Sequence, residues 1–77
     1  MSVRAFVLVT AKPGTSEEIV GARRVRGVKL ANSVFGRFDA VVVIEGKDFE
    51  ELKKNIYEML EKMPGVVHTE TLLTLPT

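Results

Sequence analysis

The stretch VFGRFDAVVVI, residues 34–44, decides the fold of this 77-residue chain. Its second half, Ala40–Ile44, is an uninterrupted apolar run rich in β-branched residues, which is typical of a strand. A glycine-bearing turn at residues 36–39 precedes this run, and a further strand-like segment at residues 28–35 precedes the turn. Two strands joined by a short turn form an antiparallel hairpin, so the sequence predicts a hairpin over residues 28–44.

A strand and a helix are predicted on each side of this hairpin. Residues 3–11 have the composition of a strand, and a helix over about residues 16–25 follows the break at Pro13-Gly14. On the other side, Asp48 stands three residues before Glu51, a capping-box spacing. Apolar residues then recur at steps of three and four until Pro64-Gly65, which predicts a second helix, and a last strand covers residues 66–75.

The order of these elements, βαββαβ, predicts one domain over residues 1–77 with an α+β, ferredoxin-like fold. Such a fold has a four-stranded antiparallel sheet with two helices on one face, and it leaves the other face bare. The two central strands do not alternate apolar with polar, because residues 6–9 and 41–44 are apolar throughout. Exposure of that second apolar face would be costly, so we predict a sheet-to-sheet dimer.

Composition excludes several classes of function. The chain has no cysteine and one histidine, so no metal site, cofactor or catalytic triad is predicted. His68 alternates with Val66 and Glu70 in the last strand, as an edge or interface histidine would. No apolar run exceeds five residues, far short of the ~20 that a membrane helix needs. With no secretory signal recognised, the prediction is a cytoplasmic protein.

The charge of the chain is unevenly distributed, although its net value is only +1. A basic cluster, residues 23–29, follows the first helix, and the second helix is rich in glutamate. The cluster has no interleaved aromatic residues of the kind that nucleic-acid-binding surfaces carry. We therefore expect it to face an acidic helix of the same chain or of a neighbour.

The turn Gly36-Arg37-Phe38-Asp39 is the candidate binding site. It combines a glycine, whose neighbouring N–H groups can receive a carboxylate, with a carboxylate that can receive an ammonium group. This pair of groups suits a zwitterion such as a free amino acid. A plain hairpin turn in which Asp39 caps its own backbone remains the alternative interpretation.

The same residues carry a resemblance to a known family. Residues 34–43 resemble the hairpin of the Lrp/AsnC regulators' effector domain, known as the RAM domain, in which Gly-x-Tyr/Phe-Asp precedes an apolar strand. Pro64-Gly65-Val66, followed by Thr69-Glu70-Thr71, resembles the last helix–strand junction and final strand of that domain. Phe38 stands where many members of the family have tyrosine.

The resemblance implies a module for amino-acid sensing and oligomerisation in transcription regulation, and no enzyme. It implies dimers that assemble further, commonly into octamers, with an amino acid bound between dimers. The implied site residues are Gly36, Arg37, Phe38 and Asp39 from the turn, and Thr69 and Thr71 from a neighbour's last strand. Since the first strand starts near residue 3, we expect no helix-turn-helix domain, no direct DNA binding, and regulation through a full-length relative.

Two other functions share this strand order. A dimeric α+β barrel enzyme, of monooxygenase or isomerase type, would need a catalytic His, Asn or Tyr, for which His68 and Tyr57 are the candidates. An ACT-type regulatory domain would bind its ligand at the glycine-bearing turn after the first strand, here Pro13-Gly14.

Overall fold

The structure, a computed structural model, describes residues 2–75, and the side chains of residues 16–18 lie outside that description. The described residues form six elements in the predicted order: β1 (Val3–Ala11), α1 (Ser16–Ala22), β2 (Val28–Ser33), β3 (Ala40–Gly46), α2 (Phe49–Glu61) and β4 (Val66–Leu73). Within residues 2–75, no helix is both long and apolar enough to cross a membrane.

Four elements end earlier than the sequence predicts, among them α2, which stops at Glu61 and not at the residue before Pro64. The helix α1 stops at Ala22, and the next three N–H groups each bond to the carbonyl three residues back, which tightens the chain into turns. The strand β2 stops at Ser33, whose partner is Ala40, the first residue of β3. The strand β4 stops at Leu73 because little of β1 remains beyond its partner Ala5. The ends of the two strands therefore depend on where the partner strand offers a residue to pair with. The end of α1 depends on the change to tighter hydrogen bonds after Ala22.

The sheet has the strand order β2-β3-β1-β4, and every neighbouring pair is antiparallel. This is the ferredoxin-like arrangement predicted from the element order, with β1 and β3 in the centre. Alternate residues of the two central strands are fully buried on one face: Ala5, Val7 and Val9 from β1, and Ala40, Val42 and Ile44 from β3. Residues of both helices, among them Ile19, Leu52 and Met59, complete the same core, so both helices cover one face.

The opposite face is apolar, as the sequence predicts. Leu30, Val43, Phe6 and Leu72 are paired in register across all four strands, and they form a continuous row. Phe6 is 38% exposed, Leu30 46% and Leu72 49%. We call this row, with the adjacent Leu8 and Val41, the open face. Burying one large apolar side chain contributes roughly 1.5–3 kcal/mol, so this surface favours association.

The capping box predicted for α2 is present. The side chain of Asp48 accepts a hydrogen bond of 2.8 Å from the N–H of Glu51. The Oε1 atom of Glu51 in turn accepts one of 2.8 Å from the N–H of Lys47, one residue earlier than the simplest form of the motif requires. The start of α2 is thus set by residues that are close in the sequence.

Candidate functional site

Asp39 is held in place on both sides. Its N–H donates a hydrogen bond of 2.8 Å to the carbonyl of Val9, and its carbonyl accepts one of 3.0 Å from the N–H of Val34. The Oδ2 atom of its carboxylate accepts a hydrogen bond of 2.8 Å from the N–H of Ala11. Among the described residues, no protein group donates to its Oδ1 atom. Asp39 is exposed, so the structure holds a carboxylate with one oxygen available to a ligand.

The carboxylate borders a groove of about 310 Å³ between the end of β1 and the β2–β3 hairpin. We call it the Asp39 groove. Its lining residues come from the β1–α1 connection, from α1 and from the hairpin: Ala11, Lys12, Pro13, Gly14, Thr15, Ile19, Ser33 and Asp39. The groove therefore combines a carboxylate, an ammonium group, two hydroxyl groups and an apolar side chain.

The residues predicted from the turn occupy different positions. Gly36 has a φ of +140°, which favours glycine, and an added Cβ would meet nothing within 4 Å. Arg37 is exposed and Phe38 is half-buried. Of the four turn residues, only Asp39 lines the groove.

The two threonines lie on β4. Thr69 is paired with Val9, which is paired on its other side with Ala40, and Thr71 is paired with Val7. Two inter-strand spacings, about 10 Å, thus separate Thr69 from the start of β3. Neither threonine lines the Asp39 groove, so within one chain the six predicted residues do not form a single pocket. Their joint role stays a prediction.

The structure adds residues that the sequence analysis did not connect with Asp39. Lys12, Thr15 and Ser33 all line its groove, and so do Pro13 and Gly14. The turn at Pro13-Gly14, where an ACT-type domain would bind its ligand, and Asp39 of the hairpin turn are therefore two walls of one groove. Ser33 was missed because the sequence predicts a strand up to residue 35, whereas in the structure β2 ends at Ser33, which pairs with Ala40 next to Asp39.

The expected position of His68 is partly wrong. The pairing of β1 with β4 shifts between Thr10 and Ala11, so that His68 pairs with Thr10 while Val66 pairs with Ala11. Val67 is the extra residue of this bulge, and Val66 packs against the core. The alternation that would place Val66 and His68 on one face is broken because the bulge adds a residue between the two pairings.

The enzyme alternative has His68 and Tyr57 as its candidate catalytic residues, and the structure does not bring them together. His68 is exposed on the open side of the sheet, whereas Tyr57 is exposed on α2, which packs on the other side. Tyr57 borders a groove of about 860 Å³ along α2, and His68 does not. Among the described side chains, those of residues 2–15 and 19–75, no three of the metal-ligating types come together either.

The arginines of the basic cluster lie in two different surroundings, one beside β2 and one beside α2. The Nε atom of Arg23 donates to the carbonyl of Ala31 at 2.9 Å, which ties the end of α1 to β2. Arg24 and Arg26 border a groove of about 320 Å³ together with Glu58 and Glu61 of α2. The expectation of an acidic helix nearby thus holds for Arg24 and Arg26, although no ion pair within 4 Å joins them to it in the described part of the chain.

A family model and several solved structures match this chain. Residues 4–77 match the family described as the Lrp/AsnC ligand binding domain. No curated protein matches the chain in sequence.

Solved structures resemble the chain closely. A hypothetical protein of Pyrococcus horikoshii, PHS023, is 29% identical, with a TM-score of 0.85 over 97% of this chain and 92% of that one. The protein TTHA0845 of Thermus thermophilus is also 29% identical, with a TM-score of 0.86 over 97% and 95%. The transcriptional regulator NMB0573 of Neisseria meningitidis, solved as a complex with L-Met, is 17% identical, with a TM-score of 0.76 over 96% of this chain and 50% of that one. The last likeness shows the fold alone.

Proposed function

This chain belongs to the Lrp/AsnC ligand-binding domain family, and from that premise we propose that it is a regulatory module, not an enzyme, which binds a free amino acid in the Asp39 groove. The family is a regulatory one. What the proposal adds is the ligand class and the residues that hold it.

The carboxylate of Asp39 is the observation that carries the proposal. Its Oδ2 atom is bound to the N–H of Ala11, which fixes the orientation of the group, and its Oδ1 atom is available to the ammonium group of a ligand. Charge-assisted hydrogen bonds of this kind are the strong ones. On the other wall, Lys12 supplies a cation for the ligand's carboxylate. Complementary charges across one groove suit a zwitterion.

The remaining lining residues suit the rest of an amino acid. Ser33 offers a hydroxyl group that donates or accepts, Thr15 offers one that accepts because its proton goes to the carbonyl of Lys12, and Ile19 adds an apolar side chain to the lining. The complex of the Neisseria meningitidis regulator with L-Met supports this ligand class, since that protein shares the fold.

We further propose that the chain works as an assembly. Two copies pack through their open faces, which removes the row of Leu30, Val43, Phe6 and Leu72 from water. Dimers then associate, up to an octamer, so that Gly36, Arg37 and Phe38 of one subunit approach Thr69 and Thr71 of a neighbour and complete the site. A full-length relative in mixed assembly would carry the signal to DNA.

Calorimetric titration with the twenty amino acids, combined with sedimentation, tests both parts. We expect binding of at least one amino acid, and a shift of the sedimentation profile toward the larger species when it binds, because a ligand held between subunits favours the assembled state. Absence of binding at millimolar concentrations would overturn the ligand class. A single 8.5 kDa species at all protein concentrations would overturn the assembly.

A further inference from the structure

The loop of residues 12–15 forms the wall of the Asp39 groove that faces the carboxylate, and it is fastened to the junction between α2 and β4. The N–H of Lys12 donates a hydrogen bond of 2.9 Å to the carbonyl of Gly65. Within the loop, the Oγ1 atom of Thr15 donates one of 2.6 Å to the carbonyl of Lys12. The position of this wall therefore depends on Gly65, which is distant in the sequence.

Thr15 lies directly against Gly65. A Cβ atom added to Gly65 would be 2.6 Å from both the Cβ and Cγ2 atoms of Thr15 and 2.8 Å from its Oγ1 atom, closer than real Cβ atoms approach their neighbours. The positive-φ glycines in the described chain are Gly14, Gly27 and Gly36, so the backbone of Gly65 does not itself require glycine. The close approach of Thr15 alone requires it.

Thr15 lines the groove and Gly65 does not, so Thr15 stands between Gly65 and the bound ligand. We propose that the contact between Gly65 and Thr15 sets the width of the Asp39 groove and thereby limits the size of the ligand's side chain. The ligand part of this inference rests on the function proposed above.

The geometry gives the direction of the effect. A side chain at residue 65 would have to move Thr15 from 2.6 Å to at least the 3.4 Å of ordinary contact. Thr15 relieves the clash by moving away from Gly65, and because Thr15 lines the groove we expect this movement to narrow it. The groups of a binding site have to lie within about 0.5 Å of their required positions. A displacement of Thr15 larger than that therefore weakens the binding of large ligands.

Three variants and two amino acids test the proposal. Gly65→Ala narrows the groove, and Thr15→Gly combined with Gly65→Ala removes the obstructing atoms. Gly21→Ala is the matched control, because a Cβ there would meet only the carbonyl of Lys62 at 3.8 Å. Calorimetry measures the affinity of each variant for glycine and for L-methionine, and the amide chemical shifts of Ala11, Lys12 and Gly14 report the position of the loop.

In G65A, we expect the affinity for L-methionine to fall at least about tenfold and the affinity for glycine to fall by less than about threefold. In the double variant, which also loses the Thr15 hydroxyl, the ratio of the two affinities should return to within about threefold of the parent's. G21A should keep both affinities within about twofold of the parent's. Equal losses for both ligands in G65A would overturn the proposal.

The chemical shifts separate this proposal from the proposed function. If the parent chain binds no amino acid, the proposed function is wrong, and the limit on ligand size is overturned with it. Amide signals of Ala11, Lys12 and Gly14 that shift in G65A and return in the double variant support Gly65 as the residue that positions the wall. Unchanged amides in a folded G65A would overturn that role, whatever binds.

Discussion

The N–H of Ala11 donates a hydrogen bond of 2.8 Å to the Oδ2 atom of Asp39, so the carboxylate that ends the hairpin turn also closes the end of β1. The pairing of β1 with β4 shifts at this same point, between Thr10 and Ala11. Asp39 thus has a structural role that is independent of any ligand. Its Oδ2 atom bonds to the protein and its Oδ1 atom is available to a ligand, so a substitution can remove one role and keep the other.

Asp39→Asn separates structure from binding. The asparagine keeps an oxygen acceptor for the N–H of Ala11 but loses the negative charge, so we expect a fold stability within about 1 kcal/mol of the parent's and at least a tenfold loss of amino-acid affinity. Asp39→Ala should lose both, at a cost of about 1–2 kcal/mol. Urea denaturation and calorimetry measure the two effects.

Glu58→Gln, which removes a charge from α2, is the control for this experiment. Equal amino-acid binding by D39N and the parent would refute the role of the Asp39 charge.

Phe6→Lys tests the open face. Phe6 lies in the middle of the apolar row, where a charged side chain would have to be buried between two sheets. We expect the sedimentation profile to move to a species of 8.5 kDa. Val20→Lys is the control because Val20 is also about half exposed but lies on α1, and it should keep the parent's assembly. Association that persists in F6K would mean that another surface holds the copies together.

Gly27→Ala is expected to destabilise the fold by about 3 kcal/mol or more. Gly27 has a φ of +89°, and its Cβ would lie 2.2 Å from the carbonyl oxygen of Glu45 and 2.5 Å from the Nδ2 atom of Asn55. Asn55 is buried and donates to the same carbonyl at 2.8 Å, so it cannot move aside without losing that hydrogen bond.

Gly21→Ala serves as the comparison in the same denaturation experiment. It should be neutral or stabilise the chain by up to about 1 kcal/mol through helix propensity. Equal stabilities of the two variants would contradict the packing described around Gly27.

Asp48→Ala is expected to cost about 1 kcal/mol of stability. The side chain of Asp48 satisfies the N–H of Glu51 at the start of α2, and alanine would leave that group without its cap. Thermal unfolding of D48A is compared with that of Glu61→Ala, which removes an exposed carboxylate at the other end of the same helix, so that the difference measures the effect of the cap. A loss of the same size in both variants would point to charge rather than capping.

Much of the fold could be predicted from local features. The strand β1 has the bounds that its composition predicts, and the capping box locates the start of α2. Four ends were placed too late, in α1, α2, β2 and β4, because the sequence pattern continues there while the helical hydrogen bonding or the partner strand stops. The candidate site was only partly predictable. Asp39 was identified from its turn, but its neighbours Lys12 and Thr15 come from another connection.

The amino-acid sequence by itself determined the order of the elements, the two-sided apolar strands and the start of α2, because periodicity and caps act between residues that are close along the chain. Only the tertiary structure decided that the two connections, at Lys12–Thr15 and at Asp39, form one groove, and that Thr15 rests on Gly65. It also decided the bulge that separates Val66 from His68. These relationships join segments that are distant in the chain, and they depend on strand register and on contacts of a few tenths of an ångström that no local pattern encodes.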